Sequence, residues 1–292
     1  MNAPSVSLIL PVYNVAPYLE TCLDSILHQT CGDFEVLMVD DGSTDGSRDV
    51  CLRYARRDSR FLLLEQPNSG ASAARNLAMD HARGRYLQFA DGDDWLTPDA
   101  VETLLHTGRA TGADLVVAHF YRVANGRVAA RGHIRRECVL TRTEYAEHMM
   151  KAPANFYYGV LWNKLYRRAT VEANHLRCPE HVDWCEDFLF NLEYIACCRM
   201  IAAVPHPIYY YLKREGSLVS TQATLRRTIQ TKRATFAEYK ELYQELDLYE
   251  RRKAQVYGYL ISAAVDGAVG PLARPLEPSL RRPSRLDPNP DA

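Results

Sequence analysis

No cysteine pair stands at CxxC spacing, no basic leader opens the chain, and no apolar run is long enough for a bilayer. The eight cysteines are scattered, with Cys197 and Cys198 adjacent, so neither a zinc knuckle nor a disulfide framework is predicted. Free thiols in a reducing cytosol suit this usage, and a cytoplasmic protein is expected. The nine histidines form no HxxxH and no carboxylate-flanked pair. Net positive charge is missing too. Thirty-five basic and 36 acidic residues leave a formal charge of −1, which excludes a nucleic-acid partner held mainly through its phosphates. Also absent behind the first apolar run is a glycine-rich phosphate cradle. Neither GxxxxGK(S/T) nor GxGxxG occurs there; the run leads into PVYNVAPY instead.

What the sequence does contain is a regular alternation of strand and helix patterns over its first 120 residues. Val6–Val12 is a continuous apolar run, as in a strand buried on both faces. Leu19, Cys22, Leu23, Ile26 and Leu27 then mark one face of a helix opened by Pro17. FEVLMV, RFLLLE and RYLQFA read as strands, SRDVCLRYARR and ASAARNLAMDHAR as helices, the latter ended by Gly84 as its C′ residue. Thr97 is the expected cap of a helix through PDAVETLLHTGRA, and DLVVAHF closes the series. The prediction is an α/β fold, a mostly parallel sheet covered by helices on both faces.

Beyond residue 121 the pattern loosens. GRVAARGHIRRECVL suggests a hairpin, and RMIAAVPHPIYYYLKR suggests strand pieces broken by proline. Residues 222–264 read as helical, with Ile229, Phe236, Tyr239, Tyr243 and Leu246 as a packing stripe. The proline-studded stretch after 268 reads as a disordered tail. This divides the chain into a donor-side half (1–120), an acceptor-side half (121–220), a helical extension (221–268) and a tail (269–292).

The chemistry is concentrated in acids at strand ends, where open parallel sheets bind ligands. VDDGSTD sets Asp40, Asp41 and Asp45 behind the second strand, and FADGDDW sets Asp91, Asp93 and Asp94 behind the fourth. The loop QPNSGASAARN brings Asn68, Ser69, Gly70 and Arg75 to the same rim. Asp45 and Asp99 read as turn and helix caps. The crowding at Asp91-Gly-Asp93 calls for a counter-charge, and Mg²⁺ or Mn²⁺ bridging to a diphosphate would supply it. With no glycine-rich cradle, such a diphosphate would depend on that ion. Tyr13 is placed to stack on a base, and Asp41 to accept from a base N–H.

Together these segments resemble a family 2 glycosyltransferase of the GT-A fold. The matching stretches are VSLILPVYN, VLMVDDGSTDGS, NSGASAARNLA, GRYLQFADGDDWLTPD, LWNKLYRR, CEDFLFNLEY and YYYLKREGSLVS, in the family's order from Val6 to Ser220. The resemblance implies sugar transfer from a nucleotide-diphosphate donor, usually UDP-linked, to an acceptor hydroxyl on a glycan or glycolipid, as in polysaccharide or glycoconjugate synthesis. It maps the metal-binding acids onto Asp91 and Asp93, and the nucleoside side onto Pro11, Tyr13 and Asp41 with the Asn68–Gly70 loop and Arg75. It points to Asp187, with Glu186 beside it, as the base. Arg214, in a loop, is a candidate to close on the diphosphate. One base and one metal suffice for a single, inverting displacement. The competing readings are a nucleotide-sugar binder without turnover, disfavoured by an intact Asp187, and a nucleotidyltransferase, disfavoured by the missing phosphate loop. Which sugar moves is not encoded in any of these motifs. Peripheral contact at the inner membrane face and self-association are both compatible with this pattern.

Overall fold

The computed structural model describes residues 3–153, 155–182, 185–213, 225–262 and 274–275. The expected strand segments become the parallel strands β1 (Val6–Val12), β2 (Phe34–Asp40), β3 (Phe61–Glu65) and β4 (Tyr86–Phe89), in the order β3-β2-β1-β4. Register runs from Val6 opposite Phe34 to Val12 opposite Asp40, and from Val36 opposite Phe61 to Asp40 opposite Glu65. The carboxyl ends of these strands therefore lie along one rim.

Alternation along β1 sends Leu8 and Leu10 to one core and Ile9 to the other. The first core receives helices α1 (Ala16–Leu27), α2 (Ser47–Arg57) and α4 (Ala100–Thr111). The second receives α3 (Ala71–His81) and α5 (Arg142–Lys151). It also takes α6 (Phe156–Gly159), α7 (Arg168–Ala173) and α8 (Glu186–Cys197). The predicted face of α1 is buried at Leu19, Cys22, Leu23 and Ile26, with Pro17 in its first turn.

The sheet continues past the expected boundary at 120, because β6 (Leu115–Ala124) runs straight through it. It joins the parallel quartet through β9 (Lys164–Arg167), which pairs antiparallel with both β4 and β6. The hairpin expected within GRVAARGHIRRECVL does not form there. Its first part is β7 (Arg127–Arg131), which folds back on β6, and its end is β8 (Cys138–Thr141). β8 pairs with β10 (Met200–Leu212), a single strand that absorbs Pro205 and Pro207 by shifting register on β6. β5 (Trp95–Leu96) also pairs with β10. The two-residue β11 (Arg274–Pro275) adds to the edge at β7, inside the stretch expected to be a disordered tail.

Helices α9 (Leu225–Glu245) and α10 (Tyr249–Ile261) realise the expected extension. Tyr239, Tyr243 and Leu246 are buried as read, whereas Ile229 is 43% exposed. Tyr259 of α10 stacks on Phe188 of α8 at 5.6 Å, so the extension braces the helix that carries Glu186 and Asp187.

Two capping expectations are corrected. The helix expected to start behind Thr97 starts at Ala100 with Asp99 at the N-cap, and the Thr97 hydroxyl donates to Asp99 Oδ1 instead. Gly84 does not end α3, whose C-cap is Ala82. Gly84 is needed for close approach: a Cβ there would sit 2.5 Å from the Ser7 backbone nitrogen. Its N–H donates to Ser7 Oγ at 2.9 Å. Replacing Gly84 with Ala is expected to cost about 1–3 kcal/mol by overpacking β1, read as a lowered midpoint in urea. An unchanged midpoint would refute the contact.

Candidate active site

On the rim, the loops after β1 and β2 are tied together. The Asn14 side-chain carbonyl accepts from Thr44 N–H at 2.9 Å, and Asp45 Oδ1 accepts from Ser47 N–H at 3.0 Å. Asp45 thus fills the turn-capping role read for it. Asp41 is buried and pins the next loop. Its Oδ1 accepts from Ser69 N–H at 2.7 Å and from Gln66 Nε2 at 2.8 Å, and its Oδ2 accepts from Gly70 N–H at 2.9 Å. Gly42 permits this approach: its φ is +72°, and a Cβ added there would lie only 3.0 Å from the Asn68 backbone nitrogen. Pro11 is partly buried, and Tyr13, two residues on, is 49% exposed on this rim. Asn68 and Gly70 are exposed beside Asp41.

The three aspartates after β4 separate into two roles. Asp94 turns inward, where its Oδ1 accepts from Leu212 N–H at 2.7 Å. Burial, then Asp93 and Asp91, push its carboxyl well above the usual range, against the Leu212 and Tyr209 donors. Tyr209 is the second tie, its hydroxyl accepting from Asp91 N–H at 3.0 Å. Asp91 and Asp93 stay partly open to the rim.

Arg75, on α3, supplies counter-charge that the sequence pattern had pointed to only in a metal. Its side chain is 6% exposed and bridges the two acidic groups. One guanidinium nitrogen lies 3.1 Å from Asp91 Oδ1; the other lies 3.0 Å from Asp187 Oδ1 and 3.3 Å from Glu186 Oε1. Burial works against the charge on Arg75, but Asp187, Asp91 and Glu186 outweigh it and keep the group protonated. Rather than presenting an open cation to a nucleotide, Arg75 faces these carboxylates.

Glu186 and Asp187 occupy the first turn of α8, behind Cys185 with φ of +71°. The Asp187 side chain is 21% exposed. Burial raises its carboxyl to about 7, Arg75 pulls it down, and Glu186 and Asp91 push it up. Asn191, one turn on, holds the Asp187 carbonyl at 2.8 Å and the Gly159 carbonyl at 2.9 Å, fixing α6 against α8.

The role of the LWNKLYRR segment was not legible in the sequence. Trp162 is 3% exposed and stacks on Tyr209 at 4.5 Å, so it packs beneath the rim. Lys164 is fully buried, its amine donating to the Tyr157 carbonyl at 3.0 Å and to Asn163 Oδ1 at 2.8 Å. Burial drives the Lys164 amine far below the usual lysine range, with Asp187 opposing. Arg214 lies outside the described residues.

Among the described residues no group of three or more histidine, cysteine, aspartate or glutamate side chains is gathered to hold a metal. A magnesium or manganese ion here would have Asp91 and Asp93 as its protein ligands and complete its shell with diphosphate oxygens and water. Mg²⁺ commonly binds in this way, so the donor set fits such an ion.

Residues 7–174 match the family described as Glycosyl transferase family 2, and the chain belongs to that family. Its fold is that of the GT-A glycosyltransferases. It is 34% identical over 216 residues to the uncharacterized glycosyltransferase EpsJ of Bacillus subtilis, covering 74% of this chain and 63% of that protein. The crystal structure of S. aureus TarS 1-349 in complex with UDP-GlcNAc superposes with a TM-score of 0.71 at 23% identity, covering 88% of this chain and 71% of that one. The mannosyltransferase PcManGT from Pyrobaculum calidifontis, in complex with GDP-Man and Mn²⁺, gives 0.56 at 17% identity, covering 92% and 77%. All eight cysteines are free, and no described helix is long and apolar enough to cross a membrane.

Proposed function

We propose that the protein transfers a sugar from a UDP-type donor to an acceptor hydroxyl with inversion at the anomeric carbon. One observation carries the reading: a single guanidinium holds Asp187 at 3.0 Å and Asp91 at 3.1 Å. A proton acceptor and a donor-side carboxylate thereby face each other across one buried cation. Asp187 takes the proton of the attacking hydroxyl as the bond to the anomeric carbon forms and the bond to the diphosphate breaks. Tyr13 offers its exposed ring to the base, while Asp41 keeps the Asn68–Gly70 loop in place beside it. Asp91 and Asp93 would hold Mg²⁺ or Mn²⁺, which when bound would supply Lewis-acid stabilisation of charge on the diphosphate. No enzyme nucleophile is needed for a single displacement. The TarS complex supports a UDP-linked donor, the PcManGT complex supports a divalent ion, and the acceptor is a glycan or glycolipid.

The test is UDP binding by calorimetry with Mn²⁺ and with excess EDTA. Binding should weaken strongly in EDTA, and Asp93→Ala should bind as wild type does in EDTA. Equal affinity under all conditions would remove the metal assignment. Release of UDP from a UDP-sugar, screened across sugars with acceptor present, separates a transferase from a binder.

A further inference from the structure

A cavity of about 480 Å³ opens between the β7–β8 connection and α5, and shares no lining residue with the acidic rim. His133, Arg135, Arg136, His148 and Lys151 line it, and no carboxylate does. The two imidazoles lie with ring centroids 6.3 Å apart. His133 Nδ1 is engaged by the Tyr158 hydroxyl, which leaves Nε2 for a ligand. Arg135, Arg136 and Lys151 are exposed, and none is ion-paired among the described residues.

Glu137, Glu144 and Glu147 stand near this cavity in sequence, and none of them lines it. Glu144 is committed to the start of α5, accepting from Thr141 N–H at 2.8 Å. Burial, then His148, Lys151, Arg135 and His119, hold His133 below the ordinary histidine value. Burial, then Lys151 and Arg136, hold His148 below it, with Glu147 and Glu144 opposing. Arg135, Arg136 and Lys151 lining one concave site with no carboxylate among its lining residues favour an anion there.

We propose that this cavity binds a phosphate-class oxyanion, a phosphate ester or a diphosphate. Guanidinium forks match phosphate oxygens in geometry. A singly charged carboxylate would leave most of the cluster uncompensated, whereas a dianion would not. The site stands independently of the donor rim and of the transfer reaction. Free phosphate compounds and phosphate headgroups on a membrane share this chemistry.

The test follows the histidine Cε1–H resonances of the full chain in EDTA at fixed ionic strength, as inorganic pyrophosphate is added. His133 and His148 should shift saturably and titrate at higher pH when the anion is bound, while exposed His206 should not respond. The Arg135→Ala/Arg136→Ala double variant, altered only at exposed side chains, should bind at least about tenfold more weakly. Pyrophosphate bound on the acidic rim would shift neither imidazole. Absence of a saturable shift, the same shift with chloride, or undiminished binding in the double variant would overturn the proposal. With vesicles, sedimentation with phosphatidic acid but not phosphatidylcholine, lost in the double variant, identifies a membrane headgroup as the source. Saturable pyrophosphate binding without sedimentation identifies a soluble phosphate.

Discussion

Asp187→Asn should lower sugar transfer by about 10²–10⁴-fold while leaving Mn²⁺-dependent UDP binding intact, because it removes the general base while Asp91 and Glu186 remain as partners of Arg75. The amide keeps the shape and can still sit against Arg75, but it cannot accept the hydroxyl proton. The pH dependence gives the same residue a second signature. A carboxyl raised to about 7 is largely protonated below that value and cannot act as a base. Transfer by the wild type should therefore fall as the pH drops through about 7. The residual activity of the amide variant should show no such limb. Undiminished turnover in Asp187→Asn, or an unaltered acid limb, would remove Asp187 from this role. Glu186 would then be the next carboxylate to test, since it shares the same guanidinium nitrogen at 3.3 Å.

Much of the donor side was legible because its signals are local. The mainly apolar runs of β1, β2 and β4 encode two-sided burial, and the spacing in α1 encodes one buried face. Parallel order then carries the acids to a common rim without further information. The acceptor side was less legible because its pairing is remote. β9 wedges between β4 and β6, and nothing in LWNKLYRR states that it pairs with both. β10 crosses two prolines because its register on β6 can slip there, an accommodation visible only with the partner strand in place. Among the aspartates after β4, the pattern set Asp91 and Asp93 apart as metal-binding acids but gave Asp94 no role of its own. The Leu212 N–H that claims Asp94 lies 118 residues away.

Arg75 is the clearest case of what local pattern cannot give, since the acids it joins are 16, 111 and 112 residues distant. Arg75→Ala should both destabilise the fold and move the acid limb of activity to higher pH. Its side chain is buried, and its removal leaves Asp91, Glu186 and Asp187 repelling one another without a counter-charge. Breaking a buried pair costs about 3–5 kcal/mol, and these carboxylates are a fifth to a third exposed, so the low end applies, about 3 kcal/mol. That corresponds to a melting temperature lowered by roughly 6–12 °C. Arg75 also pulls the Asp187 carboxyl down, so without it the proton leaves only at higher pH. Arg75→Lys should recover part of the stability and move the limb back toward wild type, because the charge returns without the fork that reaches both sides. A purely structural arginine would lower the melting temperature and leave the limb where it was, and that result would sever the proposed link between the donor-side acid and the base.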